Sequence, residues 1–351
     1  MLSNHASRAS TPAFYEVLPG LHALRDVFVN LYYVAVAPGQ PRGPWVLIDA
    51  GLPGSADKIK RHAEEVFGAD NPPTAILLTH GHFDHVGALD GLLDAWPGVP
   101  VYAHPLELPY LTGRSSYPPP DPTVGGGLMA WSSFLYPKHA YDFTPRVHEL
   151  PADGSVPGLA GWRWLFTPGH TAGHVSFFHD TNKVLVAGDA FTTVVAESGL
   201  ATLTQKQVVH GPPAYFTPAW DAARTSVATL LSLTPEVAAT GHGIAMHGET
   251  LRQQLQQLAV DFNEIARPKV GRYAHQPAVA DASGVRSVPP PLVSPWLKGL
   301  AVAGVAATVL ALALGGKRRS ARTYRAPYRD HPAPARGATR PAASRGPENR
   351  S

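Results

Sequence analysis

Apolar runs alternate with segments of helical spacing along the first 266 residues. The strand-like runs, rich in β-branched and aromatic residues, are 14–17, 27–36, 45–48, 75–78, 99–103, 162–166, 175–179, 183–187 and 237–239. Helical periodicity covers 55–67, 86–96, 218–233 and 249–265. Strands followed by helices, twice over, predict two sheets packed face to face with helices outside them.

Residues 105–150 interrupt this alternation. They contain Pro118-Pro119-Pro120 and Gly125-Gly126-Gly127, and a short helix is expected near 128–136. Irregular segments of this length are uncommon unless they are functional, so this insertion is predicted to form a lid over a site. Its aromatic side chains could wall a substrate pocket or form a small satellite core; they are Tyr110, Tyr117, Trp131, Phe134, Tyr136 and Tyr141.

The composition changes at both ends of the chain. Residues 1–13 are expected to be an N-terminal arm, and the proline-rich residues 267–298 a linker. Residues 299–316 form an eighteen-residue run without a charge, which as a helix would span about 27 Å. This run predicts a single C-terminal transmembrane helix, against the alternative of a helix packed on the globular domain. The basic tail, 317–351, is predicted to be disordered.

Charge is concentrated in that tail, which holds ten Lys/Arg and two acidic residues, while the chain as a whole carries +3. The remaining 316 residues are therefore acidic, and no nucleic-acid partner is expected for the main domain. The first eight residues lack the apolar core of a secretory signal. The expected localisation is thus a membrane anchor with a cytoplasmic catalytic domain. Small residues at 303, 307, 311 and 315 could let two spans pair as a homodimer.

The densest chemical signal is Thr79-His80-Gly81-His82-Phe83-Asp84-His85, directly after the predicted strand 75–78. Residues two apart on extended backbone point the same way, so His80 and His82 project to one side. Three imidazoles and a carboxylate at this spacing suit a borderline divalent metal such as zinc. Further residues of ligand type follow apolar runs or lie beside glycine, namely His170, Asp189 and His242. The chain has no cysteine, which excludes disulfides, thiolate ligands and a cysteine nucleophile.

With these motifs the sequence resembles the metallo-β-lactamase superfamily of metal-dependent hydrolases over about residues 14–266. The resemblance implies an α+β fold, a four-layer αββα sandwich. It also implies two divalent ions, with zinc favoured over iron or manganese. The ligand set that it implies is His80, His82 and His170 for the first ion, Asp84, His85 and His242 for the second, and Asp189 as the bridge. In this family a hydroxide bridging the ions attacks the substrate, and Asp84 would be the catalytic residue that orients it and passes a proton to the leaving group.

Several polar residues are weaker candidates. Asp49, Thr79, Thr171 and His174 could hydrogen-bond to the metal-binding imidazoles, or could form ordinary turn and strand-end hydrogen bonds. His210 and Tyr215 lie in a loop that could face the substrate.

The expected reaction is hydrolysis of an ester, thioester or lactone carbonyl in a small molecule. Glyoxalase II-like enzymes and lactonases keep all seven ligands, whereas true β-lactamases generally lack the bridging aspartate. Some lactonases place a tyrosine just after that aspartate, where this chain has Phe191-Thr192-Thr193. The alternatives are a phosphodiesterase or nuclease-type hydrolase of the same superfamily, and a membrane-tethered metal-binding protein without catalysis.

Overall fold

The computed structural model describes residues 11–40 and 42–292. The strands are β1 (Phe14–Leu18), β2 (Leu21–Asp26), β3 (Val29–Ala35), β4 (Trp45–Ile48), β5 (Ala75–Leu77), β6 (Val101–Ala103), β7 (Val147–Glu149), β8 (Trp162–Phe166), β9 (Val175–His179), β10 (Val184–Gly188), β11 (Val237–Thr240), β12 (Met246–His247), β13 (Val279–Asp281) and β14 (Gly284–Ser287). The helices are α1 (Ala56–Phe67), α2 (Phe83–Val86), α3 (Leu89–Ala95), α4 (Leu108–Leu111), α5 (Leu128–Ser132), α6 (Gly199–Thr204), α7 (Trp220–Ser232), α8 (Gly248–Val260) and α9 (Phe262–Ile265). Short 3-10 turns lie at Ser133–Leu135 and Ala214–Phe216.

Two mixed sheets form the centre of the domain. The first contains β1 to β7 in chain order, antiparallel as far as β4 and parallel from β4 to β7. The second has the order β12-β11-β10-β9-β8, in which only β10 and β11 run parallel. The parallel strands β4 and β5 are buried on both faces, which explains why their sequences are continuous apolar runs rather than alternating ones.

The packing of alternate residues produces four layers. In β4, Val46 and Ile48 face the second sheet, whereas Trp45 and Leu47 pack with α1 and α3. In β10 the same alternation sends Val186 to the other sheet and other residues to the cluster that contains α7 and α8. This arrangement is the αββα sandwich that the sequence predicts.

The predicted strand 27–36 differs at its start: residues 27–28 form a turn, and the strand is β3. The structure places a hairpin here, with β2 and β3 joined at residues 27–28. Val27 is 73% exposed and has a φ of 62°, a conformation that β-branched residues rarely adopt. Because valine is not a typical turn residue, no sequence pattern marked this turn, and the prediction omitted β2.

The described part of the predicted linker is not a free connection. Strands β13 and β14 form a hairpin, and the Val285 N–H donates to Ser115 Oγ at 3.0 Å. The Tyr273 hydroxyl donates to the Pro119 carbonyl at 2.7 Å, and the Arg272 N–H donates to Asp121. The proline-rich composition predicted a linker. The contacts that fix this segment could not be predicted from it, because they are made with residues of the distant insertion.

The prediction of a C-terminal transmembrane helix is corrected. Over residues 11–40 and 42–292 the longest helices, α7 and α8, have 13 residues, and no helix there is long and apolar enough to cross a membrane. The predicted span, 299–316, lies outside the described residues, as do the tail and most of the N-terminal arm. Its weakness is physical: an eighteen-residue run rich in alanine is only moderately apolar and at the lower limit of spanning length. The membrane partner, the localisation and the homodimer rested on that helix and are withdrawn with it.

Candidate metal centre

The candidate ligands lie where strands end. His80 and His82 follow β5, and the short helix α2 carries Asp84 and His85. His170 lies in the β8–β9 connection, Asp189 directly after β10, and His242 two residues after the end of β11. Because β10 and β11 are parallel neighbours, their carboxyl ends meet at one edge of the second sheet. The fold thus brings together residues from four separate segments.

Three overlapping groups of these residues could each hold a metal ion. They are His80, His82 and His170; His80, His85 and Asp189; and Asp84, His85 and His242. Asp189 Oδ2 lies 3.3 Å from His170 Nε2 and 3.1 Å from His242 Nε2, and His82 Nδ1 lies 3.0 Å from His170 Nε2. All seven side chains are buried, at most 6% exposed. The structure therefore brings every predicted ligand into one enclosed cluster; their role as ligands stays a prediction.

The cluster has the free acceptors that a cation needs. His80 Nε2, His85 Nε2 and Asp189 Oδ1 are buried, and none of the three hydrogen-bonds to any residue the structure describes. A buried polar atom without a partner costs about 1–3 kcal/mol, so their convergence is unfavourable unless a further group satisfies them. Gly241 provides the space that the Asp189 carboxylate occupies, because a Cβ at position 241 would lie 2.0 Å from Asp189 Oδ1. The residues present fit divalent metal ions.

Asp49 and Thr79 orient two of the imidazoles. The His85 Nδ1–H donates to Asp49 Oδ2 at 2.8 Å, and the His80 Nδ1–H donates to Thr79 Oγ1 at 3.1 Å. The Thr79 hydroxyl in turn donates to Asp49 at 2.8 Å. Both histidines thereby carry the proton on Nδ1 and direct the Nε2 lone pair into the cluster. These two weaker sequence candidates thus contact imidazoles of the cluster, and their role in supporting a metal stays a prediction.

Two further partners were missed from the sequence. The His242 Nδ1–H donates to the Phe28 carbonyl at 2.9 Å, and the His170 Nδ1–H lies 3.3 Å from Thr217 Oγ1. A backbone carbonyl leaves no side-chain signal, and Thr217 lies 47 residues from the histidine that it orients.

Burial sets the protonation of the first ligand group. Burial lowers the pKa of His80 and His82, and lowers that of His170 to about 3. Near neutral pH these imidazoles are uncharged, the form that coordinates a metal. Burial also lowers the pKa of His85, but the charges of Asp189 and Asp49 outweigh it and the net shift is upward.

Glu107 joins the two ligand loops, and no sequence pattern pointed to it. Its buried carboxylate accepts from the Gly81 N–H at 3.0 Å, between His80 and His82. It also accepts from Thr171 Oγ1 at 2.6 Å and from the Gly173 N–H at 2.9 Å, and the Tyr117 hydroxyl donates to it as well. The Thr171 hydroxyl therefore fixes the His170 loop to Glu107, and it forms no hydrogen bond to an imidazole of the described residues.

His174 supports Asp189 rather than a ligand imidazole. The Asp189 backbone N–H donates to His174 Nε2 at 2.9 Å, so the ring proton is on Nδ1, which donates to Thr167 Oγ1 at 2.9 Å. Burial lowers the pKa of His174 to about 4, which keeps the ring neutral. The ring thereby holds the backbone at the start of the Asp189 turn.

Replacing His174 with phenylalanine should keep the ring volume and leave the Asp189 N–H without an acceptor. We expect metal affinity to fall by about 10–100-fold, the usual effect of removing an outer partner of a ligand. Titration with a competing chelator measures it. The exposed His275→Phe is the control, and equal affinities for the two variants would contradict the role of His174.

The two substrate candidates lie in different surroundings. His210 Nδ1 is 3.9 Å from Glu197 Oε2, and His210 is in none of the groups that could hold a metal. Tyr215 packs in a small cluster with Ala130 and Phe216, against which Tyr136 of the insertion also packs. Phe216, its neighbour, was missed, and its ring centroid lies 4.5 Å from that of His82.

The sequence left open whether the aromatic residues of the insertion line a pocket or pack in a core, and the structure places some of them in each environment. Tyr117 lies over His82, with ring centroids 4.6 Å apart, and Tyr110 stacks on Tyr117 at 4.0 Å. Trp131, by contrast, is 45% exposed and pairs with Phe134. Tyr141 packs against the core of the first sheet. The aromatics thus divide between site and packing, and the lid function of residues 105–150 stays a prediction.

Comparisons with known proteins identify the family. The family model described as the metallo-beta-lactamase superfamily matches residues 24–242. The probable metallo-hydrolase YflN of Bacillus subtilis is 48% identical over 253 residues, covering 72% of this chain and 95% of that protein. The uncharacterized protein YobT of the same organism is 34% identical and covers 65% of this chain and 90% of its own.

Solved structures are more distant. The crystal structure of TTHA1623 in a di-iron-bound form is 29% identical, with coverage of 69% and 97% and a TM-score of 0.43. A metallo-beta-lactamase family protein from Thermus thermophilus is 26% identical, with coverage of 71% and 81% and a TM-score of 0.46. Because both TM-scores are low, the assignment rests on the sequence matches: this chain belongs to the metallo-β-lactamase superfamily.

Proposed function

We propose that this protein is a hydrolase with two metal ions that cleaves an ester, thioester or lactone bond in a small molecule. The observation that carries the proposal is the set of overlapping ligand groups with unpartnered, buried acceptor atoms. His80, His82 and His170 would hold one ion, Asp84, His85 and His242 the other, and Asp189 both. The similarity to a probable metallo-hydrolase supports the reaction class.

Two divalent ions bound there would lower the pKa of a water molecule and stabilise negative charge developing on the substrate. The chain's own residues prepare the centre for this chemistry. Asp49, Thr79 and Glu107 fix the ligands, and the burial of the cluster strengthens every charge interaction inside it. Asp84 Oδ2 lies 3.7 Å from His242 Nε2. We assign Asp84 the role of accepting a proton from the attacking water and returning it to the leaving group.

The surroundings favour a carbonyl substrate over a phosphodiester. A pocket of about 210 Å³ adjoins His82 and His170, and none of the described residues that line it is a lysine or arginine. Enzymes that bind phosphodiesters usually supply such cations to the phosphate oxygens. An uncharged carbonyl compound suits these walls better.

The full chain, expressed with excess zinc, iron or manganese, should contain close to two ions per chain by elemental analysis, zinc being favoured. It should hydrolyse p-nitrophenyl butanoate, an acyl thioester or a γ-lactone faster than bis(p-nitrophenyl) phosphate. Removal of the ions with a chelator should abolish the activity, and adding them back should restore it. One ion or none would contradict the two-metal centre, and activity on the phosphodiester alone would favour a phosphodiesterase instead.

A further inference from the structure

The side chains that line the pocket beside the candidate metal centre are mostly apolar. The pocket shares His82 and His170 with the centre, and its other walls include Leu106, Tyr110, Pro118 and Phe216. Histidines aside, none of the lining residues in the described part of the chain is ionised at neutral pH. A group that enters from the metal side therefore meets aromatic rings and aliphatic carbons.

Two of the polar side chains in these walls are already engaged. The Thr171 hydroxyl donates to Glu107 at 2.6 Å, and the Tyr117 hydroxyl donates to the same carboxylate. These two residues consequently present little free hydrogen-bonding capacity to a ligand. A polar or charged substituent in the pocket would lose its hydration without replacement, whereas an apolar one would gain from burial.

The outer wall comes from the segment after the family match. Ala278, just before β13, and Ala280, within β13, line the pocket. The Ala278 N–H donates to the Pro218 carbonyl at 3.1 Å, and the Val285 N–H donates to Ser115. The hairpin is thus held by hydrogen bonds to Pro218 and Ser115. The small side chains of its alanines leave space in the pocket that larger side chains would fill.

From these walls we propose that the pocket binds the apolar acyl group of the substrate, and that Ala280 of the hairpin sets its maximum length. This inference rests on the proposed hydrolase function and adds a substrate class: acyl compounds with an unbranched, uncharged chain. The volume of about 210 Å³ exceeds that of a cavity of about 150 Å³ that holds benzene, so about six to eight carbons fit.

The test uses p-nitrophenyl esters from acetate to decanoate with the metal-loaded full chain. Values of kcat/KM should rise about fourfold per added methylene until the pocket is full, the factor expected for burying one CH₂. In Ala280→Phe, kcat/KM for the octanoate ester should fall at least about tenfold, because the ring would fill the space of two or more methylenes. Acetate hydrolysis should stay within about twofold of wild type.

The matched control is Ala282→Phe, on the exposed turn of the same hairpin, which should behave as wild type. A second readout needs no turnover: calorimetric affinity for butanoate, hexanoate and octanoate should increase with length in wild type and lose that dependence in Ala280→Phe. Ester hydrolysis without chain-length dependence, or equal losses for acetate and octanoate, would overturn the acyl pocket alone. If the protein has normal metal content and binds carboxylates with length-dependent affinity but hydrolyses no ester, the proposed reaction is rejected and the acyl pocket is retained.

Discussion

Replacing Asp189 with alanine is expected to leave at most one metal ion per chain and to lower kcat/KM for ester substrates by more than about a hundredfold. Asp189 Oδ2 lies within 3.3 Å of both His170 and His242, which belong to the two proposed ion sites, and its Oδ1 has no partner among the described residues. Loss of this carboxylate would remove the one side chain that we assign to both proposed sites. It also leaves neighbouring imidazoles without their nearest negative charge.

The measurement pairs elemental analysis with kinetics on the same sample. Asp180→Ala is the matched control, because Asp180 forms an exposed pair with Arg163 at 3.0 Å. An exposed pair contributes at most about 1 kcal/mol, so this variant should keep both ions and its rate. If Asp189→Ala retains two ions and near-normal rates, the shared ligand is another residue.

Replacing Glu107 with alanine is expected to lower the free energy of unfolding by about 3–5 kcal/mol, even in protein stripped of metal. The carboxylate accepts from two backbone N–H groups and two hydroxyls, all buried. The substitution removes this acceptor from the Gly173 N–H and from both hydroxyls, while the Gly81 N–H keeps the Tyr117 oxygen at 2.9 Å. Because the donors belong to both ligand loops and to the insertion, their relative positions should loosen as well. Metal affinity should therefore fall together with stability.

Urea unfolding of the metal-free protein separates the structural effect from any stabilisation by bound ions. Glu107→Gln keeps one carbonyl oxygen and should recover part of the loss. Glu149→Ala, at an exposed position of β7, should change stability by less than about 0.5 kcal/mol. A stability of Glu107→Ala within that same margin would show that the donors find other partners.

Local pattern explains which features the sequence predicted well. The buried strands β4 and β9 begin and end where their apolar runs do, because a short apolar run is the local sequence signal of a buried strand. The candidate ligands were found for a similar reason. His80, His82, Asp84 and His85 lie within six residues, and the downstream ligands sit beside glycine at the ends of strands. Ligand chemistry is visible in residue type and spacing without knowledge of the fold.

Contacts between distant segments explain what the sequence did not show. Glu107 meets Thr171 across 64 residues, and nothing in its own neighbourhood marks it. His174 was a candidate for contact with an imidazole, yet it accepts from the Asp189 backbone, a distinction that depends on how the β9 and β10 strands pair. The hairpin of β13 and β14 was interpreted as linker, because the residues that fix it, Ser115 and Pro218, are distant in the sequence.

The sequence by itself indicated the candidate ligand residues, the four longest helices, most of the central strands and the family resemblance. The tertiary structure alone decided which polar groups orient those ligands and which side chains line the pocket beside them. The physical reason is the range of the interactions: apolar periodicity and ligand spacing are properties of neighbouring residues. Hydrogen-bond partners of buried groups are supplied by whichever segments the fold brings into contact.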